Sequence, residues 1–95
     1  MKIPKQFDLS EKIALISGAS RGIGAAIART LAEFGADVIL TSRKIENLKE
    51  VESQIKESGK KASSIACHNG ELGEIDELFE KIKMSYGSLD ILVNN

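Results

Sequence analysis

The sequence contains a single cysteine, Cys67, so no disulfide can form within the chain. This excludes the small secreted scaffolds that disulfides hold together, and it is compatible with a reducing compartment. The single proline, Pro4, lies in the leading arm, and no low-complexity linker divides the chain. The segment from Met1 to Phe7 lacks the apolar core of a secretory signal, so we expect a cytoplasmic protein.

The sequence also lacks an excess of one charge and lacks long apolar runs. Thirteen Lys and Arg residues against fourteen Asp and Glu residues give a net charge of −1, without a basic stripe. Nucleic acid is therefore not an expected partner. No apolar run approaches the ~20 residues that are needed to span a bilayer, so no membrane partner is expected either.

What the sequence does contain is an alternation of strand and helix patterns. Hydrophobic residues make up 42% of the 95 residues, which suits one small α/β domain covering residues 1–95. Four β-rich runs are predicted as strands: residues 13–17, 38–41, 62–67 and 89–93. Three helices are predicted between them from apolar residues at helical spacing: Ile23, Ile27, Leu31 and Phe34; Ile45, Leu48, Val51 and Ile55; and Ile75, Leu78, Phe79, Ile82 and Tyr86.

The order of these elements predicts the topology. A β-α-β-α-β-α-β order with short connections favours a parallel sheet with right-handed crossovers. The doubly wound strand order 3-2-1-4 places the first two helices on one face, the third on the other, and a ligand beyond the carboxyl ends of strands one and four. Because the last apolar run stops without a closing cap, we expect the chain to be a fragment of a longer domain.

The strongest chemical signal is the run Ser17-Gly18-Ala19-Ser20-Arg21-Gly22-Ile23-Gly24, which follows strand one and opens a helix. Its glycines allow a tight turn and a close approach of the backbone to a pyrophosphate, at which the helix start aims its N–H groups. A Walker phosphate loop would require Gly-Lys-Ser/Thr, whereas Gly24 is followed by two alanines. A methyltransferase would usually carry an acid after strand two, where this chain has Ser42 and Arg43.

Two segments of the chain carry a family resemblance. Residues 13–24 (IALISGASRGIG) and 89–95 (LDILVNN) resemble the two signatures of the short-chain dehydrogenase/reductase family, and the elements between them match in number and length. The resemblance extends from about Phe7 onward and implies a nicotinamide-dependent oxidoreductase with a Rossmann fold. It implies cofactor contacts from the glycine-rich run, namely Ser17, Gly18, Ser20, Arg21, Gly22, Ile23 and Gly24, with Ser17 where the family often has threonine.

The residues that follow strand two favour NADP over NAD. An acid at this position would hydrogen-bond the adenosine ribose and repel a 2′-phosphate. The chain instead has Ser42 and Arg43, and a guanidinium matches a phosphate bidentately. Arg21 can approach from the glycine-rich run, and this pair resembles the NADP-preferring members of the family.

The ends of strands three and four supply the remaining candidate cofactor contacts. Many members of the family have Asp-Val at the positions of His68 and Asn69, where the acid contacts adenine. His68 departs from that pattern; it could stack on adenine or be a plain surface histidine, and it has no second ligand nearby for a metal. Asn94 and Asn95 match the two asparagines of the second signature, one tying strand four to its neighbours and one lining the path to the ribose.

The family's catalytic residues have no counterpart in these 95 residues. The resemblance implies a catalytic serine and a Tyr-x-x-x-Lys pair beyond the second signature, whereas Tyr86 lacks a following lysine and is expected to pack in the core. We therefore expect the NADP-binding part of an enzyme that transfers hydride between NADP(H) and a small carbonyl or alcohol. A non-catalytic NADP-binding module and an inactive fragment stay open as alternatives. The open edge at strand four favours self-association into a homo-oligomer, or else marginal stability and loosened packing near residues 89–95.

Overall fold

The computed structural model of the protein describes residues 5–67 and 72–94. Its elements alternate as the sequence pattern predicts. They are a 3₁₀ turn at Lys5–Phe7, β1 at Ile13–Ser17, α1 at Gly22–Glu33, β2 at Asp37–Ser42, a second 3₁₀ turn at Ile45–Asn47, α2 at Lys49–Glu57, β3 at Ala62–Ala66, α3 at Leu72–Tyr86 and β4 at Ile91–Val93.

The four strands form one parallel sheet in the order β3-β2-β1-β4, which confirms the predicted strand order of a Rossmann-type fold. In β1, Ser17 is paired with Thr41 of β2, and Ile16 is paired with Val93 of β4. Since all strands run the same way, the loops that follow β1, β2 and β4 emerge at the same end of the sheet. The predicted ligand site lies at this end.

The two faces of the sheet carry separate apolar clusters. Alternate residues of β1 and β2, such as Ile16 and Leu40, pack under α1 and α2 in the first cluster. The residues between them, Leu15 and Ile39, pack under α3 with Ile82 in the second cluster. This confirms that the first two helices cover one face and the third helix covers the other.

The buried face of α1 differs from the predicted one. The expected stripe begins at Ile23, but the side chain of Ile23 is 72% exposed, and Ile27 and Leu31 are only partly buried. Alanines instead face the sheet: Ala25, Ala28 and Ala32 are each at most 2% exposed. The predicted buried face is wrong at Ile23, because an apolar sequence pattern gives most weight to large side chains. Small side chains such as alanine let a helix lie close to a sheet.

Three elements are also shorter at one end than predicted. The third strand ends at Ala66 and the fourth begins only at Ile91, two residues later than expected. Ile45 belongs to the 3₁₀ turn ahead of α2 and is 41% exposed, so it is not part of the helix core. The chain reaches β4 through Asp90, whose Oδ2 accepts a hydrogen bond of 2.9 Å from the N–H of Ile13.

Candidate nucleotide-binding site

The loop between β1 and α1 takes a shape that requires glycine at two positions. Gly18 and Gly22 have φ angles of +61° and +63°, in the left-handed region that side chains disfavour. A Cβ added at Gly22 would meet no atom within 4 Å, so glycine is needed there for backbone conformation and not for space. The N–H of Ala19 donates to the carbonyl of Thr41 over 3.2 Å, which holds the loop across the end of β2.

The amino end of α1 receives no capping hydrogen bond from the side chain at its N-cap position. Arg21 occupies the N-cap position with an extended backbone and makes no side-chain capping hydrogen bond. The first N–H groups of a helix have no partner within the helix, and the helix dipole makes this end positive. Gly24, in the first turn, is buried, whereas Ile23 points outward. Such a helix start is suited to an anion that is held by backbone donors, as the sequence predicts for this position.

Two arginines lie at this same end of the sheet. Arg21 follows β1 through the glycine loop, Arg43 follows β2 directly, and both are exposed. Since β1 and β2 are adjacent and parallel, the two arginines flank the end of the same strand pair. The two cations that the sequence singled out therefore follow neighbouring strands at one end of the sheet.

A polar concavity beside Arg21 was not foreseen from the sequence. It has a volume of about 380 Å³ and is lined by Ser20, Arg21, Glu46, Asn47 and Glu50. Only the folded chain brings the 3₁₀ turn and the start of α2 against the glycine loop. The one sequence feature that points to this concavity is the pair of acids, Glu46 and Glu50, that follows Arg43. These carboxylates lower the positive potential that the two arginines create.

The ends of β1 and β4 are joined through Ser17. Its hydroxyl lies 3.3 Å from the carbonyl oxygen of Val93 and 3.4 Å from Oδ1 of Asn94, to either of which it can donate its one proton. Ser17, Thr41 and Asn94 border a cavity of about 280 Å³ whose remaining wall is apolar and comes largely from α3. Ser17 and Asn94 are thus brought together, while His68, Asn69 and Asn95 lie outside the described residues.

Comparison with known proteins agrees with this geometry. The sequence profile of the family described as short chain dehydrogenase matches residues 12–95. The chain is 43% identical over 84 residues to a fatty acyl-CoA reductase of Acinetobacter baylyi, covering 88% of this chain and 28% of the reductase. It is 38% identical over 95 residues to the gluconate 5-dehydrogenase of Gluconobacter oxydans, covering 100% of this chain and 37% of that enzyme.

A solved structure gives the same result. A metagenomic short-chain oxidoreductase in complex with NADP matches this fold with a TM-score of 0.89 and 44% identity, over 90% of this chain and 39% of that one. The chain belongs to the short-chain dehydrogenase/reductase family. It spans about a third of the length of these relatives.

Short-chain dehydrogenases/reductases are oxidoreductases that bind nicotinamide cofactors, and the donor set at this site fits such a group. An uncapped helix start suits a pyrophosphate, and exposed guanidinium groups suit further phosphate oxygens. The fit depends on the positive charge of the two arginines and on the direction of the backbone N–H groups at the helix start, and it needs no metal ligand. Among the described residues, no group of three or more His, Cys, Asp and Glu side chains could hold a metal ion.

Two reactive side chains of this family member are engaged in packing. Burial, reinforced by the nearby negative charge of Glu74, raises the pKa of the Cys67 thiol, so Cys67 is held in its unreactive neutral form. The hydroxyl of Tyr86 lies 2.8 Å from Oγ of Ser63, near the amino end of β3 and away from the glycine loop. The structure thereby agrees with a packing role for the only tyrosine.

Within residues 5–67 and 72–94, no helix has the length and apolar character that a bilayer crossing requires.

Proposed function

We propose that residues 1–95 are the cofactor-binding part of an NADP-dependent short-chain dehydrogenase/reductase. The enzyme transfers hydride between NADP(H) and a small carbonyl or alcohol. The observation that carries the choice of NADP is the pair Arg21 and Arg43, both exposed at the carboxyl end of β1 and β2. No acid stands between Thr41 and Ile45, where one would select NAD.

In this proposal the chain's own groups hold and orient the cofactor. The N–H groups of Gly22, Ile23 and Gly24 face the pyrophosphate, and Ser20 lies beside them in the loop. Arg21 and Arg43 hold the 2′-phosphate. His68 and Asn69 are assigned to the adenine, and Asn94 and Asn95 to the path toward the ribose beside the nicotinamide. When bound, the reduced cofactor would supply the hydride to a carbonyl, and the oxidised cofactor would accept it from an alcohol.

Protonation of the substrate oxygen needs an acid near the reacting carbon. Within these 95 residues the only tyrosine is Tyr86, whose hydroxyl is paired with Ser63 near the far end of the sheet. The described residues therefore supply binding and orientation, and a module that binds NADP without turnover is the second candidate. Both candidates predict that the purified 95-residue chain turns over no substrate, so cofactor oxidation in proportion to its concentration would contradict this expectation.

The proposal is tested by calorimetric titration of the chain with NADP and with NAD. A charge-assisted hydrogen bond contributes about 1.5–3 kcal/mol, which corresponds to about ten- to a hundredfold tighter binding of NADP. Arg43→Ala should remove most of this preference. Arg29→Ala is the matched control, because Arg29 lies in the middle of α1 and bonds Gln54 of α2. Equal or tighter binding of NAD by the unmodified chain would overturn the choice of cofactor.

A further inference from the structure

The concavity beside Arg21 carries charge of both signs. Arg21 lines it from the N-cap position of α1, whereas Glu46 lines it from the second 3₁₀ turn and Glu50 from the first turn of α2. All three residues are exposed, and in the part of the chain that the structure describes no ion pair joins Arg21 to either acid. The two carboxylates therefore border the same space as a guanidinium that stays available to a ligand.

The backbone that carries the two acids is anchored to the core. The N–H of Leu48 donates to the carbonyl of Ile45 over 2.9 Å and closes the second 3₁₀ turn, and the side chain of Leu48 is fully buried. Glu46 lies inside this turn, and Glu50 follows shortly after Leu48 at the start of α2. Both acids thus have a defined place beside the glycine loop.

The helix dipole explains an acid at the start of α2 but not its place at the concavity. A negative charge in the first turn of a helix is favoured, and α2 has two such acids, Glu50 and Glu52. The carboxylate of Glu52 accepts hydrogen bonds from Ser64 and Lys56. Among the described residues, the carboxylates of Glu46 and Glu50 have no such partners, and they border the concavity instead.

The chemistry of a ribose gives these two acids a role. The 2′ and 3′ oxygens of a ribose are on adjacent carbon atoms, so a group on the 3′ oxygen lies beside a 2′-phosphate that Arg21 and Arg43 hold. A free 3′-hydroxyl can donate a hydrogen bond to a carboxylate. A 3′-phosphate only accepts hydrogen bonds, and it would bring like charge against Glu46 and Glu50.

We propose that Glu46 and Glu50 are specificity-determining residues, which exclude nucleotides that carry the ribose phosphate on the 3′ oxygen. This inference rests on the proposed NADP site and names the isomer that the site rejects. Cations alone attract a phosphate on either oxygen, and the carboxylates add the repulsive element that separates the two isomers. The compounds kept out are 3′-phosphoadenosine nucleotides, the class that includes coenzyme A.

The test compares NADP with its 3′-phosphate isomer, which has the same charge and differs only in the position of one phosphate. Both are titrated calorimetrically into the unmodified chain and into a double variant, Glu46→Gln with Glu50→Gln. The unmodified chain should bind NADP about tenfold more tightly than the isomer, as expected for several exposed charge pairs. The double variant should lose most of this preference, chiefly because its affinity for the 3′ isomer rises.

The matched control is a second double variant, Glu33→Gln with Glu57→Gln, which removes the same charge from the other ends of α1 and α2. It should keep the preference for NADP over the isomer. An unchanged preference in the variant of Glu46 and Glu50 would overturn the proposal. An equal loss in the control would also overturn it, since net charge alone would then explain the effect. Because both isomers are titrated into one variant, a change in helix stability affects both affinities alike.

The same titrations separate this inference from the proposed function. If the unmodified chain does not prefer NADP over NAD, the proposed function fails and this inference fails with it. If it prefers NADP over NAD but binds the 3′ isomer equally well, only the exclusion of the isomer is overturned. Added salt should weaken the discrimination between the isomers, because the two carboxylates are exposed and are screened. A discrimination that persists unchanged in high salt would point to shape and overturn the role of the acids.

Discussion

The two faces of the sheet are covered by different means. On the face under α1 and α2, thirteen described residues form the buried cluster, seven of them alanines, so the helices lie close to the strands. On the face under α3, five described residues form the cluster, and a cavity of about 280 Å³ remains beside Leu92 and Phe79. Those two side chains are 56% and 41% exposed.

The denser packing of one sheet face affects the candidate nucleotide-binding site. The glycine loop and the amino end of α1 stand on the densely covered face, where small side chains fix the helix against β1 and β2. Residues that must meet a ligand in a defined geometry benefit from such a support, because positional errors of about 1 Å cost binding and rate. The alanine face of α1 therefore supports the helix end that carries the glycine loop.

The largest difference between the faces should come from truncation of one leucine on each. Leu40 is fully buried under α1 and α2, so Leu40→Ala should lower the free energy of unfolding by about 2–5 kcal/mol. Leu92→Ala on the other face should cost less than about 1 kcal/mol, since Leu92 is mostly exposed. Equilibrium unfolding in urea measures both. Equal losses would mean that the α3 face is as tightly packed as the other.

Enlarging an alanine of α1 should test the close approach directly. Ala28 is fully buried, so Ala28→Leu should overpack the contact with the sheet and cost about 1–3 kcal/mol. Ala26 is exposed on the same helix, and Ala26→Leu is the matched control with an expected change within about 0.5 kcal/mol. A tolerated Ala28→Leu would show room between α1 and the sheet. Loss of nucleotide binding in Ala28→Leu alone would link this contact to the site.

The thinly covered side also predicts association of the 95-residue polypeptide. The described part of β4 pairs only with β1, and the apolar side chain of Leu92 is exposed beside Phe79. An open strand edge of this kind pairs readily with a second copy. Light scattering should show concentration-dependent association, and Leu92→Lys should reduce it. A monomer at high concentration, with slow amide exchange in β4, would contradict this expectation.

The smallest predicted effects are two opposite dependences on pH. In Glu52 on α2, burial favours a raised pKa, but hydrogen bonds from Lys56 and Ser64 outweigh it and lower the pKa. The Glu52 carboxylate therefore stabilises the fold fully above its pKa in the unfolded chain. This contribution is lost as pH falls through its lowered pKa in the folded chain. In Asp37 on the α3 side of β2, burial raises the pKa, partly offset by Lys61. The Asp37 carboxyl therefore lowers the stability of the fold as pH rises from its pKa in the unfolded chain to its raised pKa in the folded chain.

Conservative amide variants separate these two contributions. At neutral pH, Glu52→Gln should destabilise the fold slightly and Asp37→Asn should stabilise it slightly, because the first loses a favourable charge and the second an unfavourable one. Both differences should shrink in acid, where the wild-type carboxylates are protonated. Urea unfolding of each variant beside wild type, between about pH 3 and about pH 7, measures them. Shifts of the same sign for both variants would contradict the assignment.

The sequence predicted the strand order, the helix placement and the conformation of the glycine loop, because each depends on local periodicity or on glycine. The buried face of α1 escaped prediction, since alanine carries little weight in an apolar pattern and Ile23 carries much. The concavity at Glu46 could not be foreseen, because it depends on how the second 3₁₀ turn meets the glycine loop. The roles of His68, Asn69 and Asn95 stay predictions.

The single tyrosine gives the molecule an intrinsic optical reporter. The sequence has no tryptophan, so near-ultraviolet emission comes essentially from Tyr86 alone. Its phenol is hydrogen-bonded to Ser63, at the contact between the end of α3 and the outer strand β3. Detachment of α3 would replace that partner with water and change the emission, while an opening confined to α1 would leave it unaltered. Unlabelled protein thus reports loosening of the thinly covered face separately from global unfolding seen by circular dichroism.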